Sequence, residues 1–413
     1  MSTIAVARGA PENPLRSRPV LLYVITRMCV GGAQLTVVEA ARDFASEYDV
    51  RIAFGPDVGA EGSLEDLAAE EFPTYRVPLL RRALSPREDV GAVRALRAVY
   101  ADARPSIIHT HSSKAGIVGR AAAAGGAARV VHSVHGWGHT PVDPRWKKSV
   151  LINAERRCAR LTEVLIAVSG DVKQQGLQEG IGVEDQYRVV PEYVDYTAAS
   201  PDFRRSRKRA RAALGLDAQD LVVGWVGRFV PQKDPTTLAE AVVAVLRARS
   251  DVRVAFVGDG PDRPTVEGAL AAADLSSRAI FAGFRTDVRQ LYSAFDVLVH
   301  TSRWEGQPRV LQESIAERVP VVTADVTGAA DLLSTGRVGD IVRSSDAAGI
   351  AEALLRRLAD GRSLAPLPET AVAAVAEHNG YPTAHRGHRA VYNDLLTMGP
   401  RNTGTGRRRP PGA

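Results

Sequence analysis

Two glutamates stand eight positions apart in the segment Glu305-Gly-Gln-Pro-Arg-Val-Leu-Gln-Glu313. The apolar run before them predicts a buried strand, and Pro308 suits the first turn of a following helix. Glu305 is expected in the loop after that strand, with Glu313 about one and a half turns into the helix. N–H groups near 307–310 would favour a phosphate, and carboxylates accept hydrogen bonds from sugar hydroxyls. The alternative is an ordinary helix N-terminus with a second glutamate in solvent.

Two cations follow another predicted strand, at 221–226. Arg228 and Lys233 both lie in the loop between this strand and a helix expected from Pro235. A diphosphate suits such a pair, because Arg binds it with a planar fork and Lys as a point charge. If the diphosphate is a leaving group, both stabilise its developing charge. The alternative is a pair of surface cations.

Glycine turns follow further predicted strands. Gly31 and Gly32 open the first helix, where a backbone N–H can approach a phosphate or a sugar closely. Gly258 lies in a tight turn, and the loop that holds Phe284 can contact a nucleobase or be an ordinary loop. The chain contains neither G-x-G-x-x-G nor G-x4-G-K-[ST], which disfavours a dinucleotide fingerprint and a P-loop.

Five histidines cluster within about thirty residues: His109, His111, His132, His135 and His139. Structural roles, substrate contact and metal binding are all open for them. Neither H-E-x-x-H, nor a companion cysteine pair, nor D-x-D occurs. We therefore predict no metal site.

Composition predicts a soluble globular protein with two domains. The 413 residues are 45% hydrophobic and 24% charged, and no run of about 18 apolar residues is present. Residues 1–18 are expected to be a disordered leader without a signal-peptide core, and residues 399–413 a disordered basic tail. Two cysteines, Cys29 and Cys158, give no disulfide framework and favour the cytoplasm.

The net charge of +6 is concentrated in part in two basic runs. They are Arg204–Arg211 and Arg407–Arg409. The first run is read as a solvated helix face, with contact to an anionic membrane or to nucleic acid as the alternatives. No aromatic residues interleave it and no nucleic-acid motif surrounds it, so nucleic acid is not an expected partner.

Alternating apolar and amphipathic segments predict an α/β protein with two doubly wound, Rossmann-like domains facing across a cleft. The domains are expected at 19–195 and 218–380, with a linker at 196–217 and a final helix at 381–398 that packs back on the first domain. Strands are predicted at 20–25, 48–54, 106–111, 129–134, 163–169, 221–226, 252–257, 279–282, 297–300 and 319–323. Helices are predicted at 34–46, 86–103, 235–249, 262–273, 310–317, 347–359 and 381–397.

Taken in order, these motifs resemble the GT-B glycosyltransferases of family GT4, over about residues 19–398. The subgroup they resemble most builds bacterial surface polysaccharides. The matching segments are Gly31-Gly32-Ala33-Gln34, His109-Thr-His-Ser-Ser-Lys-Ala-Gly116, Val131-His-Ser-Val-His-Gly-Trp137, Val226-Gly-Arg-Phe-Val-Pro-Gln-Lys233, Phe256-Val-Gly-Asp-Gly-Pro261 and Glu305–Glu313.

The resemblance implies a role for each matching residue. Arg228 and Lys233 would bind the donor diphosphate, Glu305 the hydroxyls of the transferred sugar, and Glu313 the ribose. His135 matches the histidine beside the reacting sugar. The implied donor site is completed by Gly31, Gly32, Gly227, Gly258, Phe284, Gly306, Gln307, Pro308, Arg309 and Val310. The implied acceptor contacts are His109, His111, Lys114 and Trp137.

The resemblance also implies a reaction. A retaining enzyme would move a sugar from a nucleoside diphosphate, expected to be UDP, to a saccharide, lipid-linked or natural-product acceptor. Front-face attack needs no separate protein base and no cofactor, which agrees with the lack of an obvious carboxylate pair for double displacement. A sugar-nucleotide epimerase and a basic lipid- or nucleic-acid-binding scaffold are the alternatives. A cytoplasmic location, with contact to the membrane face through the basic runs, is expected.

Three positions in two segments depart from the family pattern. Glu192 and Tyr193 replace an Asn-Gly turn in Val190-Pro-Glu-Tyr-Val-Asp195, and Asp331 stands where Glu is usual. Neither change removes a catalytic group, so the enzyme interpretation is unaffected.

Overall fold

The computed structural model describes residues 6–7, 18–56, 62–197, 202–334, 337–359 and 366–399. They form two compact units. The first contains the described residues up to 167, then 173–189 and those from 385 onward; the second contains 168–172 and 190–384. Most of the predicted leader and nearly all of the predicted tail lie outside the described residues.

The first unit is built on a sheet that has eight strands in the described part of the chain, in the order β1-β4-β3-β2-β5-β6-β7-β8. Apart from β1, which pairs antiparallel with β4, the strands are parallel. β2 is buried along Leu21–Thr26, as expected for a parallel strand covered on both faces. The strands are β1 Val6–Ala7, β2 Val20–Arg27, β3 Asp49–Gly55, β4 Thr74–Arg76, β5 Ile107–His111, β6 Arg129–Val134, β7 Val164–Ala167 and β8 Tyr187–Val189.

Helices connect these strands, as parallel pairing requires. They are α1 Gly32–Phe44, α2 Glu65–Glu71, α3 Pro86–Ala103, α4 Ser113–Ala123, α5 Arg145–Ala159 and α6 Gly170–Gln178. The strand order reverses between β2 and β5, so the loops that follow these two strands meet at one edge of the sheet.

The second unit repeats this design with a parallel sheet ordered β11-β10-β9-β12-β13-β14. Its order reverses between β9 and β12. The strands are β9 Leu221–Val226, β10 Val252–Val257, β11 Ala279–Phe281, β12 Val297–His300, β13 Val321–Ala324 and β14 Gly339–Val342. The helices are α7 Phe203–Leu214, α8 Pro235–Ala248, α9 Arg263–Ala272, α10 Val288–Leu291, α11 Arg309–Ala316, α12 Ala329–Leu333, α13 Ala347–Ala359 and α14 Glu369–Asn379. The prediction of two parallel α/β sheets is confirmed.

The segment predicted as a linker contains α7, which belongs to the second unit. Two arginines of the basic run point inward there: Arg207 and Arg211 both donate to the buried carboxylate of Asp296. Arg211 also donates to the carbonyls of residues 217, 218 and 220. Polar composition suggested a connector, but these arginines are needed to compensate a buried acid.

The last helix, α15 Tyr381–Thr397, packs in the first unit from His385 onward. Its Tyr392 hydroxyl lies 2.7 Å from His109 Nδ1 on β5 and 3.1 Å from the Tyr23 hydroxyl on β2. In the described part of the chain, no helix combines the length and the apolar character that a membrane span requires.

Candidate functional site

The loops after β9 and β12 bring two charged side chains together at the point where the second sheet reverses its order. Lys233 Nζ donates to Glu305 Oε1 at 2.6 Å, and both side chains are largely buried. Asp234 caps the helix that follows Lys233, since its carboxylate accepts from the Thr237 N–H and hydroxyl. The Thr301 hydroxyl donates to the Lys233 carbonyl at 2.7 Å. The pair is thus fixed by helix capping on one side and by the β12 loop on the other.

Further polar groups surround the Glu305 carboxylate. Gln232 donates from Nε2 to Glu305 Oε2 at 3.3 Å and to the Trp304 carbonyl at 3.0 Å. His300, the last residue of β12, has its Nε2 atom 3.4 Å from Glu305 Oε1. Neither Gln232 nor His300 was predicted as a site residue. Two features of the sequence could have indicated them: Gln232 is next to Lys233, and His300 is the last residue of a predicted strand.

Burial opposes ionisation of Glu305, but the Lys233 ammonium and the hydrogen bond from His300 outweigh it. They hold the pKa of Glu305 well below its ordinary value. Burial lowers the pKa of His300, against the opposing effect of Glu305. The site therefore presents a neutral imidazole and an ammonium, both close to one carboxylate.

Gly227 and Gly258 belong to turns that pack directly on each other at the ends of β9 and β10. Gly258 has φ +132°, and a Cβ there would lie 1.8 Å from the Gly227 carbonyl oxygen. Its N–H donates to the Gly283 carbonyl at 2.8 Å. Only glycine fits at position 258, so this turn fixes the loop that carries Arg228, which is half-buried. Phe284, next to Gly283, is 45% exposed.

Glu313 lies on α11, which begins at Arg309 with Pro308 at the N-cap rather than in the first turn as predicted. Its two carboxylate oxygens are already engaged. Arg309 Nε donates to Oε1 at 2.8 Å, and the hydroxyl of the buried Tyr292 donates to Oε2 at 2.9 Å. Each oxygen keeps a second lone pair for a ligand hydroxyl. Tyr292 was not predicted, because it lies 21 positions from Glu313 on another element.

The segment between the two glutamates is held by its own unit. The Gly306 carbonyl accepts from the Ser169 hydroxyl at 3.1 Å. Gln307 is buried; its Oε1 accepts from the Glu192 N–H, and its Nε2 donates to Asn379 Oδ1. Glu192, although it departs from the family pattern, thus still binds the predicted donor loop through its backbone N–H. Val310 is half-buried in the first turn of α11.

The other two departures also have defined contacts within the second unit. Tyr193 is buried against Tyr381 in an edge-to-face arrangement, with ring centroids 5.2 Å apart. Asp331 accepts from the Gly170 N–H at 3.1 Å.

In the first unit, Gly31 is the N-cap of α1 and Gly32 its first residue. Gly31 is extended, at φ −173°, and its carbonyl accepts from the Leu35 N–H. The pair stands directly beyond β2, at the point where the first sheet reverses its order.

The predicted histidine cluster is real, and most of it is buried. His109 has both ring nitrogens bonded, to Tyr392 and to Ser133, and His132 bonds Thr110 through Nδ1. His111 Nδ1 lies 2.9 Å from His135 Nε2. Burial lowers the pKa values of the three buried imidazoles well below the ordinary value; these are His109, His111 and His132.

The remaining predicted contacts of the first unit have local partners. Lys114 Nζ lies 2.5 Å from Asp89 Oδ1, and His139 Nε2 lies 2.6 Å from Glu179 Oε2. Trp137 is half-buried. Among the described residues, no three His, Cys, Asp or Glu side chains are grouped to hold a metal ion. Cys29 and Cys158 are buried free thiols.

Comparisons with known proteins match both units. Residues 220–360 match the sequence profile of the glycosyl transferases group 1, and residues 31–192 that of a glycosyl transferase 4-like domain. The chain is 29% identical over 299 residues to the UDP-Gal:alpha-D-GlcNAc-diphosphoundecaprenol alpha-1,3-galactosyltransferase of Escherichia coli, covering 71% of this chain and 77% of that one. It is also 29% identical over 347 residues to the D-inositol 3-phosphate glycosyltransferase of Nocardia farcinica, covering 78% and 71%.

Solved structures share the fold. HepE of Anabaena, in complex with UDP and glucose, superposes with a TM-score of 0.76 at 21% identity, covering 92% of this chain and 99% of that one. WaaG, a glycosyltransferase involved in lipopolysaccharide biosynthesis, superposes with a TM-score of 0.69 at 16% identity, covering 92% and 100%.

Proposed function

The chain belongs to the GT4 glycosyltransferases of the GT-B fold, the glycosyl transferases group 1, and on that basis we propose that it transfers a sugar from a UDP-sugar, with retention, to a lipid-linked saccharide. Its relatives include glycosyltransferases of bacterial polysaccharide and glycolipid synthesis. Glycosyl transfer is thereby favoured over the epimerase and scaffold alternatives. The named donor of the E. coli relative and the UDP bound to HepE support the choice of donor.

The observation that carries the proposal is the Lys233–Glu305 pair at the strand-order reversal of the second sheet. Such reversals are where open α/β sheets bind ligands. An ammonium and a carboxylate side by side match a donor whose diphosphate is anionic and whose sugar offers hydroxyls. Arg228, beyond the end of β9, supplies a second cation for the diphosphate.

The proposed reaction breaks the bond between the sugar C1 and the diphosphate oxygen, whose electron pair leaves with UDP. Arg228 and Lys233 stabilise the negative charge that develops on the leaving oxygen. The acceptor hydroxyl attacks C1 from the same face and gives its proton to the departing phosphate. Glu305 holds sugar hydroxyls, and Glu313 the ribose.

Thermal stability with nucleotides tests the donor assignment, because a ligand that binds the native state raises the unfolding temperature. UDP and UDP-sugars should stabilise the wild type, and Glu313→Ala should lose most of that shift. Glu352→Ala, which removes an exposed carboxylate on α13, is the control and should keep it. A larger shift with GDP or ADP would overturn the choice of UDP, and an inverted product anomer would overturn retention.

The lipid-linked acceptor is supported by α5, whose outward face is apolar at its start. Val142, Trp146 and Val150 are 64%, 68% and 54% exposed. The opposite face of the helix is anchored by Leu151 and by the buried Glu155, which pairs with Arg120 of α4. Exposed apolar side chains of this size, grouped at one end of a helix, mark an interaction surface.

Exposed arginines lie at both ends of this helix. Arg145, Arg157 and Arg160 are exposed, and none of them forms an ion pair within the part of the chain that the structure describes. A helix with a Trp-bearing apolar start and exposed arginines at both ends matches the interface of an anionic bilayer. The proposed contact is thus with the cytoplasmic membrane face, where a lipid-linked acceptor would be presented. The basic run on α7 is a weaker candidate, because Arg207 and Arg211 are engaged with Asp296.

Sedimentation with phosphatidylglycerol vesicles tests this contact, with phosphatidylcholine vesicles for comparison. The Trp146→Ser/Val150→Ser variant should bind less, because it removes exposed apolar side chains. The Arg157→Gln/Arg160→Gln variant should also bind less, since one cation near such a surface contributes about 1 kcal/mol. Salt should weaken the wild-type binding. Arg204→Gln/Arg209→Gln on the exposed side of α7 is the matched control. Loss of binding in that control alone would assign the contact to α7.

A further inference from the structure

The pair formed by His111 and His135 fixes where the protons of both rings lie. His111 is the last residue of β5 and His135 follows β6 directly, two positions beyond the Ser133 that pairs with His111 in the sheet. The atoms that meet are His111 Nδ1 and His135 Nε2, at 2.9 Å. A hydrogen bond between these two ring nitrogens needs one N–H and one lone pair, so only one of the two nitrogens carries the proton.

The other ring nitrogen of His111, Nε2, decides which of the two nitrogens is the donor. His111 Nε2 is buried and has no hydrogen-bond partner among the described residues. If His135 Nε2 were the donor, His111 would carry its proton on Nε2, as a buried N–H with nothing to accept it. If His111 Nδ1 is the donor, His111 Nε2 carries no proton, and only its lone pair is left without a partner. Orphaned N–H groups are the rarer of the two in folded proteins.

The neighbours of His111 keep this ring in place and neutral. The His109 ring lies against it at a tilt of 35°, with ring centroids 4.1 Å apart, and is itself held by Tyr392 and Ser133. The ionisable side chains that face His111 are His109 of the same strand, Tyr23 of β2, His388 of α15 and His135 itself. None of them carries a negative charge at neutral pH that would hold an imidazolium.

The backbone just beyond His111 is strained. Ser112 has φ +62° and ψ 151°, a region that residues other than glycine rarely adopt. Its hydroxyl lies 2.6 Å from the Thr26 hydroxyl, and Thr26 in turn accepts from the Ala115 N–H. The end of β5 is thus held in an unfavourable conformation by specific bonds, which is characteristic of functional positions.

We propose that His111 is a positioning residue: its Nδ1–H donates to His135 Nε2, so that His135 carries its own proton on Nδ1. The proposal rests on the proposed function, because the resemblance to GT4 enzymes implies that His135 stands beside the reacting sugar. It adds that His135 does not act as a general base, because the lone pair that would take a proton is occupied by His111. With that lone pair occupied, deprotonation of the acceptor is left to the leaving phosphate.

Ring ¹⁵N chemical shifts of the full-length protein, labelled at histidine, test this assignment, because they distinguish a protonated from a bare nitrogen. His135→Gln identifies the His135 signals among the nine histidines. The expected result is protonated Nδ1 and bare Nε2 in wild-type His135. The reverse pattern would overturn the proposal whatever reaction the protein performs, and this readout requires no turnover.

Two substitutions test the positioning role. In His111→Phe, which keeps an aromatic ring but no donor, His135 should lose its fixed tautomer. The kcat should then fall by about 10-fold to 100-fold, with the KM for the donor unchanged. His111→Asn keeps an N–H near the position of Nδ1 and should restore both the tautomer and most of kcat. Unchanged kcat in His111→Phe would remove the positioning role, even with the tautomer confirmed.

Discussion

Lys233 Nζ and Glu305 Oε1 lie 2.6 Å apart, although 72 residues separate them in the chain. Each of these predicted donor-binding groups is the partner of the other. Neither charge is left uncompensated, which matters because an unpaired buried charge is strongly destabilising. In the proposed function, donor binding redistributes these contacts, giving the ammonium to phosphate and the carboxylate to sugar hydroxyls.

Lys233→Ala should lower kcat by about 100-fold to 1,000-fold, because the developing diphosphate charge loses a fixed cation. It should also lower the unfolding temperature, since Glu305 is left in a largely buried position without its ammonium. Adding Glu305→Gln to Lys233→Ala should recover stability without recovering turnover. Turnover near the wild-type level in Lys233→Ala would refute the catalytic role.

Glu313→Ala should weaken UDP binding by about 10-fold to 100-fold, the effect of one hydrogen bond to a charged group. It also leaves the buried Tyr292 hydroxyl without its acceptor, at a cost of about 1–3 kcal/mol in the free energy of unfolding. Tyr292→Phe is the matched control, since it removes this hydroxyl and keeps the carboxylate. Calorimetric titration with UDP should find near-normal affinity in Tyr292→Phe; equal losses in both variants would show that Glu313 acts only through the fold.

Gly258→Ala should disrupt the turn under Arg228. The added Cβ would lie 1.8 Å from a backbone oxygen, and φ +132° is strained for alanine. We expect a fall in both the unfolding temperature and UDP affinity. Gly268→Ala is the control: it lies within α9 with no atom within 4 Å of the new Cβ, and should stabilise the helix by about 0.5–1 kcal/mol. Unaltered UDP affinity in Gly258→Ala would separate this turn from the donor site.

The first unit should lose stability in mild acid. The pKa values of buried His109, His111 and His132 are lowered by burial, so the unfolded chain binds protons below about pH 6.5 that the folded chain does not. Above that pH these histidines therefore do not lower the free energy of unfolding. Below it, the free energy of unfolding falls as the pH decreases, by up to about 1.4 kcal/mol per pH unit for each histidine. Unfolding midpoints between pH 8 and pH 5 measure this. His132→Gln should flatten the curve, and His378→Gln, at an exposed position of α14, should not; a flat wild-type curve would contradict the prediction.

The local sequence pattern was sufficient to predict most of the strands and helices near the site. The sequence placed β9, β12 and α13 at their observed bounds, because apolar runs and amphipathic periods are properties of a segment itself. It did not find α4, whose Gly116 and Gly119 lower helix propensity, nor α5.

Contacts between distant segments escaped prediction for another reason. The partners of Glu305 and Glu313 include His300 and Tyr292, which become neighbours only through strand order and helix packing. The direction in which Arg207 and Arg211 point depends likewise on the buried Asp296, which lies more than 80 residues further along the chain. Side-chain type and spacing indicated which groups belong to the site, but not which groups compensate one another.

The bond from Tyr392 to His109 spans 283 positions. During synthesis on the ribosome, His109 is therefore complete long before its partner exists. The first unit cannot finish assembling until α15 has left the exit tunnel, after the whole second unit has been made. A chain shortened before α15 would leave Tyr23 and His109 exposed beside an uncovered apolar surface. Folding of the first unit is therefore complete only when this last helix has packed against it.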